Sequence, residues 1–383
     1  MKELNSELIA ALGQVVNRGA SDLHVTVDAP PVMRIDGSLE PLTTTKTWPK
    51  EKITTALLSI LTPAQSEILT RELELNFAYM LEDGTRFRVN YYYQRGTLSA
   101  AFRIIPVEIA QLEILGLPPS VGNLARLPRG LVLLTGRTGS GKSTTLAAIV
   151  DLINTTCAKH IVSIEDPIEF LHHAKKSIIN QREVGPDTHS FSAALKNILR
   201  QDPDVIVIGE LRDLETISLA LTAAETGHLV FATLHTQDAP QTIDRVIDVF
   251  PPLQQMQIRT QLAATLKGVV SQTLIKRADG NGRVVATEIL ITTPAISSLI
   301  RDDKTYQIVS NMQSGRAQGM HTMDQHLAHL VRAGSITYEA ALGEAHDQTN
   351  LHNLLKENSV APTHSGKINK PIDFGTQSSE VTP

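Results

Sequence analysis

The chain has 383 residues, 35 Lys+Arg against 40 Asp+Glu, a formal net charge of −5 and a hydrophobic content of 42%. One cysteine and one tryptophan exclude a disulfide-stapled secreted scaffold and a cysteine-rich zinc module, and point to a reducing, cytoplasmic setting. The mild acidity argues against a chain-wide nucleic-acid coat, the apolar content excludes a disordered chain, and the length points to two domains.

The chain opens with Leu4, Leu8, Leu12 and Val15 at helical spacing, an amphipathic helix and not a signal peptide. Leu23, Val25 and Val27 then alternate. Residues 32–35 lead into Asp36-Gly37, a hairpin signal. Thr62-Pro63 reads as the N-cap and first position of a helix. Alternating apolar positions from Leu73 to Tyr79, from Phe87 to Tyr93 and from Leu98 to Ile104 predict three more strands. Residues 1–105 thus read as a small α/β domain with a half-exposed antiparallel sheet. Arg86, Arg88 and Arg103 fall on the faces away from its apolar stripes. Residues 106–128, with few periodic signals and four prolines near their middle and ends, read as a linker.

From Gly130 short apolar runs alternate with helical segments: runs at 131–135, 161–164, 205–208 and 229–234, and helices from Lys142, around 193–199 and from Asp213. This is the βαβ signature of a mostly parallel sheet, whose active sites lie at the carboxyl ends of the strands. No run approaches the roughly 20 apolar residues of a membrane helix. The domain runs over 129–356 and ends in short helices from Pro294. Residues 357–383, rich in Pro, Ser, Thr and Gly, read as a disordered tail.

Gly136-Arg137-Thr138-Gly139-Ser140-Gly141-Lys142-Ser143 matches the phosphate-loop pattern, follows an apolar strand and opens a helix that continues through Thr144. The glycines let backbone N–H groups turn inward around a phosphate, and the helix N-terminus adds partial positive charge. Lys142 would reach the β- and γ-phosphates of ATP, and the Ser143 hydroxyl would ligate Mg²⁺. The other strands end in polar groups: Glu165-Asp166-Pro167-Ile168-Glu169, Gly209-Glu210 and His235-Thr236. Glu210 is the best-placed general base. An Asp at that strand end is absent, so metal contacts beyond Ser143 run through water, with Glu165 or Glu169 in support. His235 would sense the γ-phosphate. His228, at the entry to the same strand, is a further candidate, with a plain structural histidine as the lesser alternative.

Other signals are weaker. His321, His326 and His329 with Asp324 do not share one helical face and read as a solvated helix, not a metal site. Arg86-Phe87-Arg88 and Tyr91-Tyr92-Tyr93 mix bases with aromatics as nucleic-acid platforms do. In an acidic chain an inter-subunit role fits them better, and no specific nucleic-acid partner is expected. Cys157 reads as a small buried apolar group.

These blocks, with Ala20-Ser21-Asp22-Leu23-His24, Gly209-Glu210-Leu211-Arg212-Asp213 and Thr226-Gly227-His228, resemble the type IV pilus retraction ATPases, the PilT-type members of the secretion-motor ATPase superfamily. The resemblance covers roughly residues 1–355. It implies a RecA-like phosphate-loop core preceded by a PAS-like N-terminal domain. It implies Glu210 as catalytic carboxylate, Glu169 in an acidic box, and His228 and His235 in a histidine box. Arg88 and Arg103 match arginines that complete the ATP site, often across a subunit boundary. A hexameric ring is implied, held at the inner face of the membrane by a pilus platform protein. A paralogous pilus ATPase is a further expected partner. The output would be pilus retraction, hence twitching motility or DNA uptake. The lone cysteine separates the chain from relatives with a tetracysteine zinc module. One block departs: the family's A-I-R-N-L-I-R-E is Ala295-Ile296-Ser297-Ser298-Leu299-Ile300-Arg301-Asp302 here. An accessory pilus ATPase, a non-hydrolysing scaffold and a motor of another pilus-like machine stand as alternatives.

Overall fold

The computed structural model describes residues 4–35, 38–42, 47–105 and 108–357. The described residues form two compact units. One runs to Glu108 and includes Pro167–His172; the other holds Ile109–Asp166 and the chain from His173.

The first unit contains α1 (Ser6–Asn17), β1 (Asp22–Val25), β2 (Val32–Ile35), β3 (Ser38–Pro41), α2 (Lys50–Ser59), α3 (Pro63–Glu72), β4 (Glu74–Met80), β5 (Arg86–Gln94) and β6 (Thr97–Ile105). Asn5 caps α1 by accepting from the Leu8 N–H, and Leu8, Ala11, Leu12 and Val15 bury one face of it. Leu4 precedes the helix and is exposed. Thr62 and Gln65 form a reciprocal capping box at α3, with Pro63 in the first turn. The six strands pair in the order β3-β2-β1-β6-β5-β4, all antiparallel. The Asp36-Gly37 turn lies outside the described residues; the strands around it pair with Ile35 opposite Ser38. One sheet face is closed by Phe87, Val89, Tyr91, Ala100 and Phe102. Tyr91 shows why that face is stable. Its ring meets Phe77 edge-on at 5.1 Å and its hydroxyl donates to the Leu57 carbonyl at 3.0 Å, so the polar tip is buried without loss.

The second unit begins with α4 (Pro119–Leu124), β7 (Gly130–Thr135), α5 (Lys142–Thr156), β8 (His160–Glu165), β9 (Ile178–Glu183), α6 (Phe191–Ile198), β10 (Val205–Ile208), α7 (Leu214–Glu225) and β11 (Leu229–Leu234). It continues with α8 (Ala239–Asp248), α9 (Pro252–Thr265), β12 (Leu266–Lys276), β13 (Arg283–Ile291) and α10 (Pro294–Arg301). Four short helices close it: α11 (Ile308–Ser314), α12 (Met323–Arg332), α13 (Tyr338–Glu344) and α14 (Gln348–Glu357). The sheet order is β13-β12-β7-β11-β10-β8-β9, parallel except for β13. Both faces are covered, which is why the central strands read as unbroken apolar runs. Leu131, Leu133, Val162, Ile206, Ile208 and Val230 pack with α6 to α10. The alternate residues Val132, Leu134, Ile161, Val207 and Phe231 pack with α4 and α5.

One expectation changes, and the structure adds three strands. The segment read as linker is largely packed, because Leu112, Leu117, Val121, Leu124 and Ala125 are buried in the second unit's core. Strands β9, β12 and β13 were not read from the sequence. The Asp279-Gly280-Asn281-Gly282 turn, flanked by apolar runs, is the signal that marks β12 and β13 as a hairpin. The segment 357–383 read as a tail lies outside the described residues except for Glu357, the last residue of α14.

Of the three histidines expected on a solvated helix, His329 is exposed, while His321 and His326 are half-buried against β13. Thr287 on β13 donates its backbone N–H to His326 Nδ1 at 2.9 Å, and its hydroxyl lies 2.9 Å from both His326 Nδ1 and His321 Nε2. Nδ1 of His326 is therefore an acceptor and the ring is neutral. Burial pushes His321 down to about 3 and His326 to about 4, from an ordinary 6.5. Both histidines bind protons more readily when unfolded. Their contribution to stability is complete above pH 6.5 and is lost as pH falls toward 4. The melting temperature should fall across that window. The variant His326→Asn, which keeps an acceptor for the Thr287 N–H but cannot titrate, should flatten the slope. An unchanged slope would show that other groups govern acid lability.

Candidate functional site

The loop between β7 and α5 has the conformation its sequence requires. Gly136 has a φ of 139°, and a Cβ there would meet the Gln272 carbonyl at 2.3 Å; no side chain fits. Gly141, at φ 88°, turns the chain into α5. Ser190, Asp213 and Asp238 cap α6, α7 and α8 with their side chains, but α5 has no side-chain cap. Its first amides and its dipole are left to the loop, the arrangement that binds phosphate. Lys142 is buried and its ammonium donates to the carbonyls of Gly136 at 2.7 Å and Arg137 at 3.0 Å. Ser143 and Thr144 are half-buried in the first turn, while Arg137, Thr138 and Gly139 are exposed; Arg137 donates to Gln237 at 3.2 Å.

The sheet brings the other candidates to the same edge. In strand order, β7 leads to the phosphate loop, β11 to His235, β10 to Glu210, and β8 ends at Glu165. Glu210 is fixed by its neighbours. The Gly209 N–H donates to the Ile164 carbonyl at 2.8 Å, and the Leu211 N–H to the Thr233 carbonyl at 3.0 Å. Both carboxylate oxygens are engaged: Oε2 accepts from Arg212 Nε at 2.7 Å, and Oε1 lies 3.1 Å from His235 Nε2. Arg212 also reaches Asp166 at 3.5 Å. The hydrogen bond to Glu210 is the main cause holding the Arg212 guanidinium above its ordinary pKa, and the Asp166 charge adds to it. Glu165 accepts from the Ser163 hydroxyl at 2.6 Å and from Gln181 at 3.1 Å. Within the second unit, then, Lys142, Ser143, Glu165, Glu210 and His235 share one edge.

Other candidates stand elsewhere. His228 precedes β11, and its carbonyl accepts from the N–H of Gly130, the first residue of β7. It lies at the opposite edge of the sheet, seven residues or roughly 23 Å from His235. Its Nδ1 is 3.0 Å from the Ala223 carbonyl at the end of α7. His228 stands at the entry to the strand, as read from the sequence, and its ring is held against the end of α7. Glu169 is exposed and belongs to the segment grouped with the first unit. In the first unit Arg88 and Arg103 sit directly opposite each other on β5 and β6. Arg103 is opposite Asp22 on β1 and donates to it through Nε at 2.7 Å. Asp22, only 5% exposed, also accepts from the Ser21 hydroxyl at 2.7 Å. Cys157 is half-buried against the second unit's core. The sequence reading missed Arg212 and Gln272 as site residues. Arg212 lies two positions after Glu210 in the Gly-Glu-Leu-Arg-Asp block, and Gln272 interrupts an apolar strand.

A parallel sheet with a phosphate loop after one strand, a carboxylate at the end of another and an acidic group beyond defines a RecA-like phosphate-loop ATPase. The chain belongs to the type II/IV secretion system protein family, whose model matches residues 3–360. It is 49% identical over 328 residues to the type IV pilus retractation ATPase PilT of Pseudomonas aeruginosa, covering 86% of this chain and 95% of that protein. It is 42% identical over 342 residues to the type IV pilus ATPase PilU of the same organism, covering 89% of each. The crystal structure of the pilus retraction motor PilT with bound ADP superposes with a TM-score of 0.86 at 45% identity, covering 92% of this chain and all of that one.

The backbone around Gly209 gives a test of how tightly Glu210 is placed. A Cβ at Gly209 would stand 3.2 Å from the Ile164 carbonyl and 3.3 Å from the Glu165 Cα. Gly209→Ala should fold but displace Glu210, lowering ATP turnover by about tenfold to a hundredfold. Steady-state kcat checks this; full turnover would mean that Glu210 tolerates the shift.

Proposed function

We propose that this protein is an ATP-hydrolysing motor that retracts and disassembles a type IV pilus, working as a hexameric ring. The observation that carries the reading is the convergence of the phosphate loop, His235 and Glu210 on three adjacent strand ends, in a chain half identical to a retraction ATPase. ATP is the substrate. The glycine-lined loop and the uncapped N-terminus of α5 fit its polyphosphate, and the Ser143 hydroxyl in the first turn fits Mg²⁺. The ion, when bound, neutralises charge on the β- and γ-phosphates. Lys142 exchanges its carbonyl partners for phosphate oxygens. Glu210 orients and deprotonates the attacking water, with His235 and Arg212 holding its two oxygens. Glu165 would support the metal through water. Arg88 and Arg103 stabilise charge on the transferring phosphoryl group, supplied by a neighbouring subunit. The partner that receives the work is a platform protein in the inner membrane, where the motor is peripheral. Among the described residues no helix is long and apolar enough to cross a membrane.

A second reading, an accessory pilus ATPase that works with a paralogous motor, is favoured by Ser297 and Ser298. These stand where the retraction block carries Arg and Asn. Ser297 donates to the Ala263 carbonyl of α9 at 2.8 Å, so this serine is used to pin α10 to α9.

Glu210→Gln should keep ATP binding and lower turnover by about a hundredfold or more, the loss expected of a general base. Normal turnover would remove Glu210 from the chemistry. Deleting the gene separates the cellular readings. Hyperpiliated cells with no retraction identify the primary motor, normal retraction at reduced force identifies the accessory one, and cells without pili overturn both.

A further inference from the structure

Gln272 is a polar residue in the middle of an apolar strand. It is 3% exposed and follows Val269, Val270 and Ser271 on β12. β12 runs parallel to β7 with Ser271 opposite Thr135, which places Gln272 beside Gly136, the first residue of the phosphate loop. The two serine and threonine hydroxyls below it bond each other at 2.7 Å. Gln272 instead turns to the loop: its Nε2 donates to the Ser140 carbonyl at 2.8 Å, in a buried hydrogen bond. The loop lies so close that a Cβ on Gly141 would stand 3.1 Å from that nitrogen.

This one contact has a directional consequence. In a trans peptide the C=O and the following N–H point in opposite directions. Holding the Ser140 oxygen toward β12 turns the Gly141 N–H away from β12, toward the concave side of the loop. The amide of Gln272 cannot flip without setting its Oε1 against the Ser140 oxygen, two acceptors facing each other. That orientation leaves Gln272 Oε1 buried without a partner among the described residues. The strand thus keeps an uncompensated acceptor to present one donor to the loop. Gln272 also lines the cleft beside Gly136, Arg137, Gln237 and Glu344.

We propose that Gln272 is a positioning residue for the phosphate loop, acting through the Ser140–Gly141 peptide so that the Gly141 N–H faces the polyphosphate. The proposal rests on the ATP-binding reading above. It is distinct from direct contact: the side chain sits behind the loop.

The test compares the full-length wild type with Gln272→Met, which keeps length without a donor, and Gln272→Glu, which keeps shape but has only acceptors. Affinity is read with a fluorescent ATP analogue, together with kcat at saturating ATP. Binding should weaken roughly tenfold in both variants, the order expected for one lost hydrogen bond, with kcat changed much less. The nucleotide-free melting temperature should change little. If either folded variant binds the analogue as tightly as wild type, the proposal is overturned. If Gln272→Met does not fold, Gln272→Glu decides alone. A Gln272→Glu chain that also cannot fold without nucleotide overturns the proposal, because the residue is then part of the fold. If wild type itself binds no analogue, the ATP reading fails first.

Discussion

The parallel direction of six strands is the constraint on which the site depends. Parallel strands cannot be joined by tight turns, so each returns by a longer crossover, through helices everywhere but between β8 and β9, and all their carboxyl ends face one edge. The order β12-β7-β11-β10-β8 then decides which groups become neighbours. The phosphate loop, His235 and Glu210 are separated by about 100 residues in sequence but only by adjacent strand spacings of roughly 5 Å. The same rule sends His228 to the far edge, because it stands at the start of the strand that His235 ends. Distance along a strand, and not distance in sequence, separates a histidine beside the chemistry from one that anchors a turn.

Much of this was legible in the residues. The apolar runs at 205–208 and 229–234 match β10 and β11 because both faces of those strands are buried and no polar interruption obscures them. The phosphate loop was legible because its glycines answer to a backbone requirement that few sequences meet. β9 was less so: its Ile178, Ile179, Asn180, Gln181 carry mixed polarity at the sheet's edge, so neither an apolar run nor an alternation marks it. The packing of 109–128 was hidden for a related reason. Leu117, Val121, Leu124 and Ala125 do fall at helical spacing, but over one short helix of six residues that opens on Pro119, too brief beside its prolines to stand out from a linker. Arg212 and Gln272 were missed because a reading by known motif looks for groups that touch substrate. Both act on another residue: one on the Glu210 carboxylate, the other on the Ser140 carbonyl.

Those two residues illustrate how the edge is made rigid. A carboxylate at a strand end is ordinarily mobile, and a general base must be held to within fractions of an ångström to be useful. Here the backbone on either side of Glu210 is tied to two different strands, and its oxygens are divided between Arg212 and His235.

The first unit meets a related problem with the opposite sign. Like charges directly opposite on paired strands are unfavourable, and Arg88 faces Arg103. Asp22 offsets this from the next strand over, so that a row across the sheet reads carboxylate, guanidinium, guanidinium. Because Asp22 is buried and Arg103 is exposed, the ion pair fixes the root of the Arg103 guanidinium while leaving its outer edge to solvent. Arg88 makes no ion pair among the described residues. A sheet selected for stability alone would not keep a second guanidinium beside the first. The pair makes physical sense if its excess positive charge is neutralised from outside, by an anion that the folded unit does not itself supply. The Ser21-Asp22 pair holds one side of that charge in place, because Asp22 accepts from both the Ser21 hydroxyl and Arg103 Nε.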